Sequence, residues 1–321
     1  MKRNALASLL GVDHPILLAP MAGVAGGELA GQVSDSGAFG IVGGGYGDSD
    51  FLSQQLSLLG TNKPFGVGFI TWKLKEKPEL LEVALARKPR AILLSFGDPE
   101  PFVETIKANG ALFIAQCQSV SDAEKAAFLG ADIVIAQGTE AGGHGSHQAT
   151  MSLLPAVVDA LPGALVVGAG GIGDGRGLAA CLMLGAAGVM IGSRFYASKE
   201  SLAPHVAKMK AVQAGGDDTT RSSVFDVLRE YNWPKPYNLR TLKNPISEQY
   251  EQNMPSLIEN KALEIARFNT AVEDNDFETA PVIVGEAVGL INDLPSAKEI
   301  VRRMMTESAQ AIESNYRRLK S

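Results

Sequence analysis

The chain has 321 residues, 45% of them hydrophobic and 20% charged, with a formal net charge of −6 and a pI near 5.4. That balance suits a folded protein with a sizeable core, and an acidic chain without a long basic stripe excludes nucleic acid as an expected partner. No stretch approaches the roughly 18–20 uninterrupted apolar residues that span a bilayer, and no apolar core follows the basic start MKRNALASLLGVDHP, so a cytoplasmic location and no membrane partner are expected.

Eight β-prone runs occupy residues 16–21, 38–43, 64–70, 91–97, 111–117, 133–138, 164–170 and 188–194. Most are continuous apolar runs, as expected of parallel strands covered on both faces. Between them, residues 28–36, 50–59, 78–87, 100–108, 121–129, 153–161 and 175–184 carry apolar positions at helical spacing. A doubly wound open sheet uses the same alternation. Eight evenly spaced units, with glycine-rich loops at the C-terminal ends of several strands, favour closure into a (β/α)₈ TIM barrel.

Beyond Arg194 the pattern changes. Residues 199–214 read as a helix, and 215–279 as a small, mainly helical cap that shapes the substrate pocket. Residues 282–290 and 296–320 read as closing helices. The expected division is a barrel core over 1–214, the cap over 215–279, and C-terminal helices over 280–321 returning to the barrel. Within the cap, Tyr231, Trp233, Tyr237 and Tyr250 either line the pocket or anchor the segment by packing.

Four strand ends carry residues suited to chemistry. At the first, LAPMAGV (18–24) has Pro20 to stiffen the turn, with Met21 and Ala22 as small or soft surface for a flat ring. Gly68 at the third end and Gln116 at the fifth extend that lining, and Gln116 both donates and accepts. At the sixth, IAQGTEAGGHGSH (135–147) sets Gln137, Glu140, Gly143 and His144 on flexible backbone at the barrel mouth. A histidine among glycines there is a candidate acid or base, whereas Glu140 is expected to brace the loop. His14, His147 and His205 read as structural or loop residues, and no third and fourth ligand accompany His144 and His147, so no metal is expected.

The seventh strand runs into VGAGGIGDGR (167–176), and the eighth ends in Gly192-Ser193-Arg194. Backbone at Ala169, Gly170, Gly171 and Gly192, with Ser193, suits a phosphate, because no Cβ blocks close approach and barrel enzymes often hold phosphate at these two ends. A nicotinamide fingerprint is the rival reading, but it calls for an acidic residue about 20 positions on, where this chain has Gly-Ser-Arg. Cys117 and Cys181 lie in apolar stretches and read as buried thiols.

In this order, LAPMAGV, the EAGGH run of 140–144, GAGGIGDGRG and the GSRF of 192–195 resemble the nitronate monooxygenase family, the 2-nitropropane dioxygenase-like FMN enzymes. The resemblance implies FMN as cofactor. It implies contacts from Pro20, Met21, Ala22, Gly143, Ala169, Gly170, Gly171, Gly192 and Ser193, with Gly68, Gln116 and Gln137 completing the cofactor set, and His144 as the catalytic histidine. The implied reaction is oxidation of an alkyl nitronate or nitroalkane by O₂ to a carbonyl compound and nitrite. The partners are then a small-molecule substrate and O₂, and a homo-oligomer is compatible with the sequence. Some members carry Asn in place of Gly68 and Lys in place of Gln116. The alternative is an FMN reductase fed by NAD(P)H and acting on a quinone or enoyl thioester.

Overall fold

The computed structural model describes residues 4–320. Eight parallel strands form one sheet: β1 (Ile16–Leu18), β2 (Gly40–Gly43), β3 (Phe65–Ile70), β4 (Ala91–Ser95), β5 (Leu112–Cys117), β6 (Ile133–Gln137), β8 (Val166–Ala169) and β9 (Gly188–Ile191). Between β6 and β8 in sequence, the short strand β7 (Gly143–Gly145) belongs to a different sheet. The hydrogen-bonded order β1-β9-β8-β6-β5-β4-β3-β2 is closed into a ring by Phe39, whose N–H donates to Ile16 O at 2.9 Å and whose carbonyl accepts from Leu18 N at 3.0 Å. The expected TIM barrel is the fold of the chain.

Two apolar layers hold it. Leu17, Phe39, Ile41, Leu93, Ile114, Ile135 and Val167 fill the interior, and the N-terminal helix Ala5–Leu10 adds Leu6, Ala7 and Leu10 to the same cluster. A larger cluster lies between the strands and the outer helices. Local signals place those helices: Asp48, Ser119 and Asp174 each accept a first-turn N–H as N-caps.

The eighth helical position is filled from the far end of the chain. Helix Ala297–Lys320 buries Ala297, Ile300, Val301, Met304 and Ser308, a stripe at helical spacing, and packs between helices Gly175–Met183 and Gly27–Asp35. Gly175 permits the approach, since a Cβ there would stand 2.4 Å from Glu307 Cβ. Everything between β9 and this helix is an excursion from the barrel, and its two ends meet. Lys199 N donates to Pro295 O at 3.0 Å, and Glu200 Oε2 accepts from Ala297 N at 2.9 Å.

The excursion is mainly helical, as expected of the cap, with a strand ribbon added. It contains helices His205–Gln213, Val224–Leu228, Pro245–Tyr250, Met254–Glu259 and Lys261–Glu273, but also two strands, β10 (Thr219–Ser222) and β11 (Asn238–Leu242). These pair antiparallel, and β11 pairs in turn with β7, register Leu239 to His144. A three-stranded ribbon over the mouth therefore grips the candidate histidine by its own backbone. Residues 282–285 are not helical: Val282 and Val284 are buried, Leu242 N donates to Val282 O at 2.9 Å, and only Glu286–Leu290 turns, as a 3₁₀ helix.

Candidate active site

Pro20, Met21, Ala22, Gly68, Gln116, Gln137, Gly143, His144, Ala169, Gly170, Gly171, Gly192 and Ser193 all line one cavity at the C-terminal ends of the barrel strands. Closure of the ring brings them together, because it gathers strand ends far apart in sequence at one mouth. Gly143, Gly170 and Gly171 have φ of 77°, 98° and 73°, a backbone region that β-carbons disfavour. At Gly68 a Cβ would lie 2.4 Å from Pro20 Cβ, so a larger residue there must displace the first strand end.

His144 is buried, and its Nε2 lies 2.8 Å from Asp226 Oδ1, a residue 82 positions on in helix Val224–Leu228. With the carboxylate accepting from Nε2–H, Nδ1 is the ring's acceptor. Burial holds the His144 imidazolium below its ordinary value near 6.5, and the Asp226 hydrogen bond works against that. Two aromatic side chains pack on the ring. Trp233 stacks on it with centroids 3.3 Å apart and planes 9° off parallel, and Phe96 meets it edge-on at 6.4 Å. Phe96 holds φ of 63°, an uncommon backbone for an aromatic residue, and so turns its ring toward His144, Trp233 and Tyr237.

Hydrogen bonds brace the surrounding loop. Gln137 Oε1 accepts from Gln116 Nε2 at 3.2 Å and Gln118 Nε2 at 2.8 Å, while Gln137 Nε2 donates to His144 O at 3.2 Å. Gln137 thus stands behind the histidine as well as along the cavity. Glu140 accepts from Thr150 N and Thr150 Oγ1 at 2.8–3.0 Å, bracing the loop on the next helix. Ser193 Oγ accepts from Gly285 N at 2.8 Å. Arg194 points away, to Asp293 Oδ1 at 3.0 Å and Ala197 O at 2.7 Å.

Most of what the sequence left unassigned comes from the excursion. Arg221 on β10 donates to Asn238 O, Thr139 O and Ala141 O at 2.6–2.9 Å, and burial pulls its guanidinium down to about 10. Arg240, directly opposite on β11, donates to Thr139 O at 3.0 Å and pairs with Glu286 at 2.9 Å. Of the four aromatics singled out, Trp233 lines the cavity, Tyr231 stacks on Tyr46, and Tyr237 meets Phe96. Tyr250 lies elsewhere, bonded to Glu264 at 3.0 Å. Cys117 and Cys181 are buried free thiols, pushed up to about 12 and about 11 by burial.

A family model described as nitronate monooxygenase matches residues 3–80 and 77–307. The chain belongs to the nitronate monooxygenase family. It is thereby a flavin-dependent oxidoreductase. Among the family's relatives, the nitronate monooxygenase of Neurospora crassa is 33% identical over 93% of this chain and 90% of its own. The (3aS,4S,5R,7aS)-5-hydroxy-7a-methyl-1-oxo-octahydro-1H-indene-4-carboxyl-CoA dehydrogenase of Rhodococcus jostii is 30% identical over 97% of each chain. FabK from Thermotoga maritima superimposes with a TM-score of 0.87 at 32% identity, covering 98% of this chain and 99% of that one. No helix among the described residues is long and apolar enough to cross a membrane.

Proposed function

We propose that the cavity holds FMN and that the enzyme oxidises alkyl nitronates or nitroalkanes with O₂ to a carbonyl compound and nitrite, with His144 as the base or the substrate-orienting group. The observation that carries this reading is a buried histidine–carboxylate pair aimed into a cavity whose opposite rim is glycine backbone. The residues present fit the cofactor. A Cβ at Gly192 would project into the cavity with only Ala19 Cβ and Met21 Sδ near it, each at 3.6 Å, so this glycine keeps clear a space that a bound group would fill. Ala169, Gly170, Gly171, Gly192 and Ser193 would hold the phosphate, and Pro20, Met21, Ala22 and Gly68 would lie along the ring system.

Moving electrons from substrate to oxygen is the chemistry that FMN supplies when bound. The chain's own part is to hold and move a proton. Asp226 fixes the ring through Nε2, so Nδ1 is the atom that takes the α-proton of a neutral nitroalkane or receives a hydrogen bond from a protonated substrate. Burial keeps the imidazole neutral near pH 7, the form a base needs. Trp233 keeps water from the face of the ring it covers, and Phe96 packs edge-on beside the pair.

Gly192→Leu is expected to fold and melt like the parent chain while purifying without flavin, because φ at this position, −107°, tolerates any residue and only the cavity is obstructed. Flavin absorbance per chain, read beside a thermal melt, checks it, and full flavin content would place the cofactor elsewhere.

A second reading, an NAD(P)H-fed FMN reductase acting on a quinone or enoyl thioester, draws support from the Rhodococcus jostii relative, whose name is that of a dehydrogenase of a CoA thioester. Anaerobic mixing with a nitronate and, separately, with NADH and NADPH decides between them. Bleaching of flavin absorbance by the nitronate, with nitrite released when air is admitted, is the expected result. Bleaching by a nicotinamide alone would support the reductase.

A further inference from the structure

The turn that gives His144 its partner also delivers a cation. Asp226 lies in helix Val224–Leu228, and Arg229 is the residue that ends it, three positions on, a spacing that puts both on one side of the turn. Arg229 lines the same cavity as His144, and among the described residues it is the only Lys or Arg that does.

Its environment is unusual for a cation beside a site. Arg221, Arg240 and Arg194 are tied to carbonyls or carboxylates. The Arg229 guanidinium instead rests on two stacked tyrosines, 5.0 Å from the ring centre of Tyr46 and 4.7 Å from that of Tyr231, and no side chain or carbonyl among the described residues accepts from it. With no acceptor among the described residues, the guanidinium N–H groups stay available, and they form a planar fork matched to two oxygens of one group. Of the nearby acids, Glu140 is bound to Thr150 and Asp226 Oδ1 to His144, while the buried Asp226 Oδ2 makes no hydrogen bond, to Arg229 or to any other described residue. Burial pushes the Tyr46 phenol up to about 12, so Tyr46 adds no negative charge near neutral pH.

We propose that Arg229 is a specificity determinant: its free fork selects planar two-oxygen anions, nitronates as substrates and carboxylates of the same shape as competitive inhibitors, over neutral molecules of equal size. The proposal takes its substrate from the nitronate reading, but its test does not depend on turnover.

The probes are isobutyrate, the isosteric neutral isobutyramide, and isopropyl phosphate, titrated into flavin-loaded protein while tryptophan fluorescence is followed, since Trp233 lines the cavity. The parent chain is expected to bind isobutyrate at least about tenfold more tightly than the amide, a difference of about 1.4 kcal/mol. Arg229→Met should remove that preference while holding the amide as before, and Arg229→Lys should restore part of it. With a nitronate as substrate, the loss in Arg229→Met should fall on KM rather than kcat. Equal loss of amide and carboxylate would mean that Arg229 only props up the tyrosines, and overturns the proposal. So does a carboxylate preference that survives in Arg229→Met, or Arg229-dependent binding of the phosphate in preference to isobutyrate, which would assign the cation to a phosphate carrier. If isobutyrate binding depends on Arg229 but no nitronate is oxidised, the anion site stands and the proposed reaction falls.

Discussion

His144→Gln is expected to lower kcat/KM for a neutral nitroalkane by about 100-fold or more, the usual contribution of a positioned acid or base, with FMN still bound. Gln is the informative substitute because Asp226 Oδ1 is bonded to His144 and Asp226 Oδ2 has no partner in its buried surroundings, so Ala would strand a carboxylate, whereas an amide can still donate to it. The preformed nitronate has already lost its α-proton and should suffer much less. Steady-state rates on the two forms of one substrate make the comparison. An equal loss on both would make His144 an orienting group rather than a base. The pH profile carries the same logic. Since burial lowers the His144 pKa, activity on the neutral substrate should persist as pH falls past 6.5 and then decline as the ring protonates. A profile already falling well above that pH would show that the ring is not the group being titrated.

Arg221→Met should cost stability as well as activity. Its two terminal nitrogens satisfy the carbonyls of Thr139, Ala141 and Asn238, all beside the His144 loop. Removing a charged donor from buried carbonyls costs about 1–3 kcal/mol for each one left unsatisfied. Thr139 O keeps its bond from Arg240, so Ala141 O and Asn238 O are the two stranded, and a total of at least about 2 kcal/mol would lower Tm by roughly 3 °C or more in a chain of this size. Arg240→Met is the control, because part of its binding goes to the half-exposed Glu286 and should be worth less. If the two variants melt together, or Arg221→Met melts with the parent chain, the loop is held by something other than this guanidinium.

What could be seen in the sequence follows from where each signal is stored. The strand ends advertise themselves, because glycines such as Gly170 and Gly171 must be where they are for backbone reasons alone. His144 stands out among them. Asp226, Arg221 and Arg229 do not, since their roles arise from pairing between β7 and a ribbon many residues away. Strands TTRS and NLRTL are short and half polar, and they turn arginines inward where the pattern suggests solvent. Their signal is alternation around a single Arg in each, visible only once the two are set opposite one another. The helical reading of 282–290 failed for a related reason. Its apolar run has period two over Val282 and Val284, and Gly142 and Gly285 approach so closely that a Cβ at either would strike the other segment's backbone.

The bond between Lys199 and Pro295 has an evolutionary consequence. Because the excursion leaves and rejoins the barrel at one point, its length can drift at little more than the slowly growing entropy of a longer loop, so long as its contacts to the 139–145 loop are kept. The strands, the glycine rims and the last helix form a chassis that the insert between 199 and 295 grips through its ribbon on the 139–145 loop and through Gly285 N on Ser193 Oγ. The carboxylate on His144, the tryptophan stacked on it and the cation at the tyrosines all ride on this one insert, so a single replacement there would alter the histidine's surroundings while the glycine loops of the strand ends stay as they are.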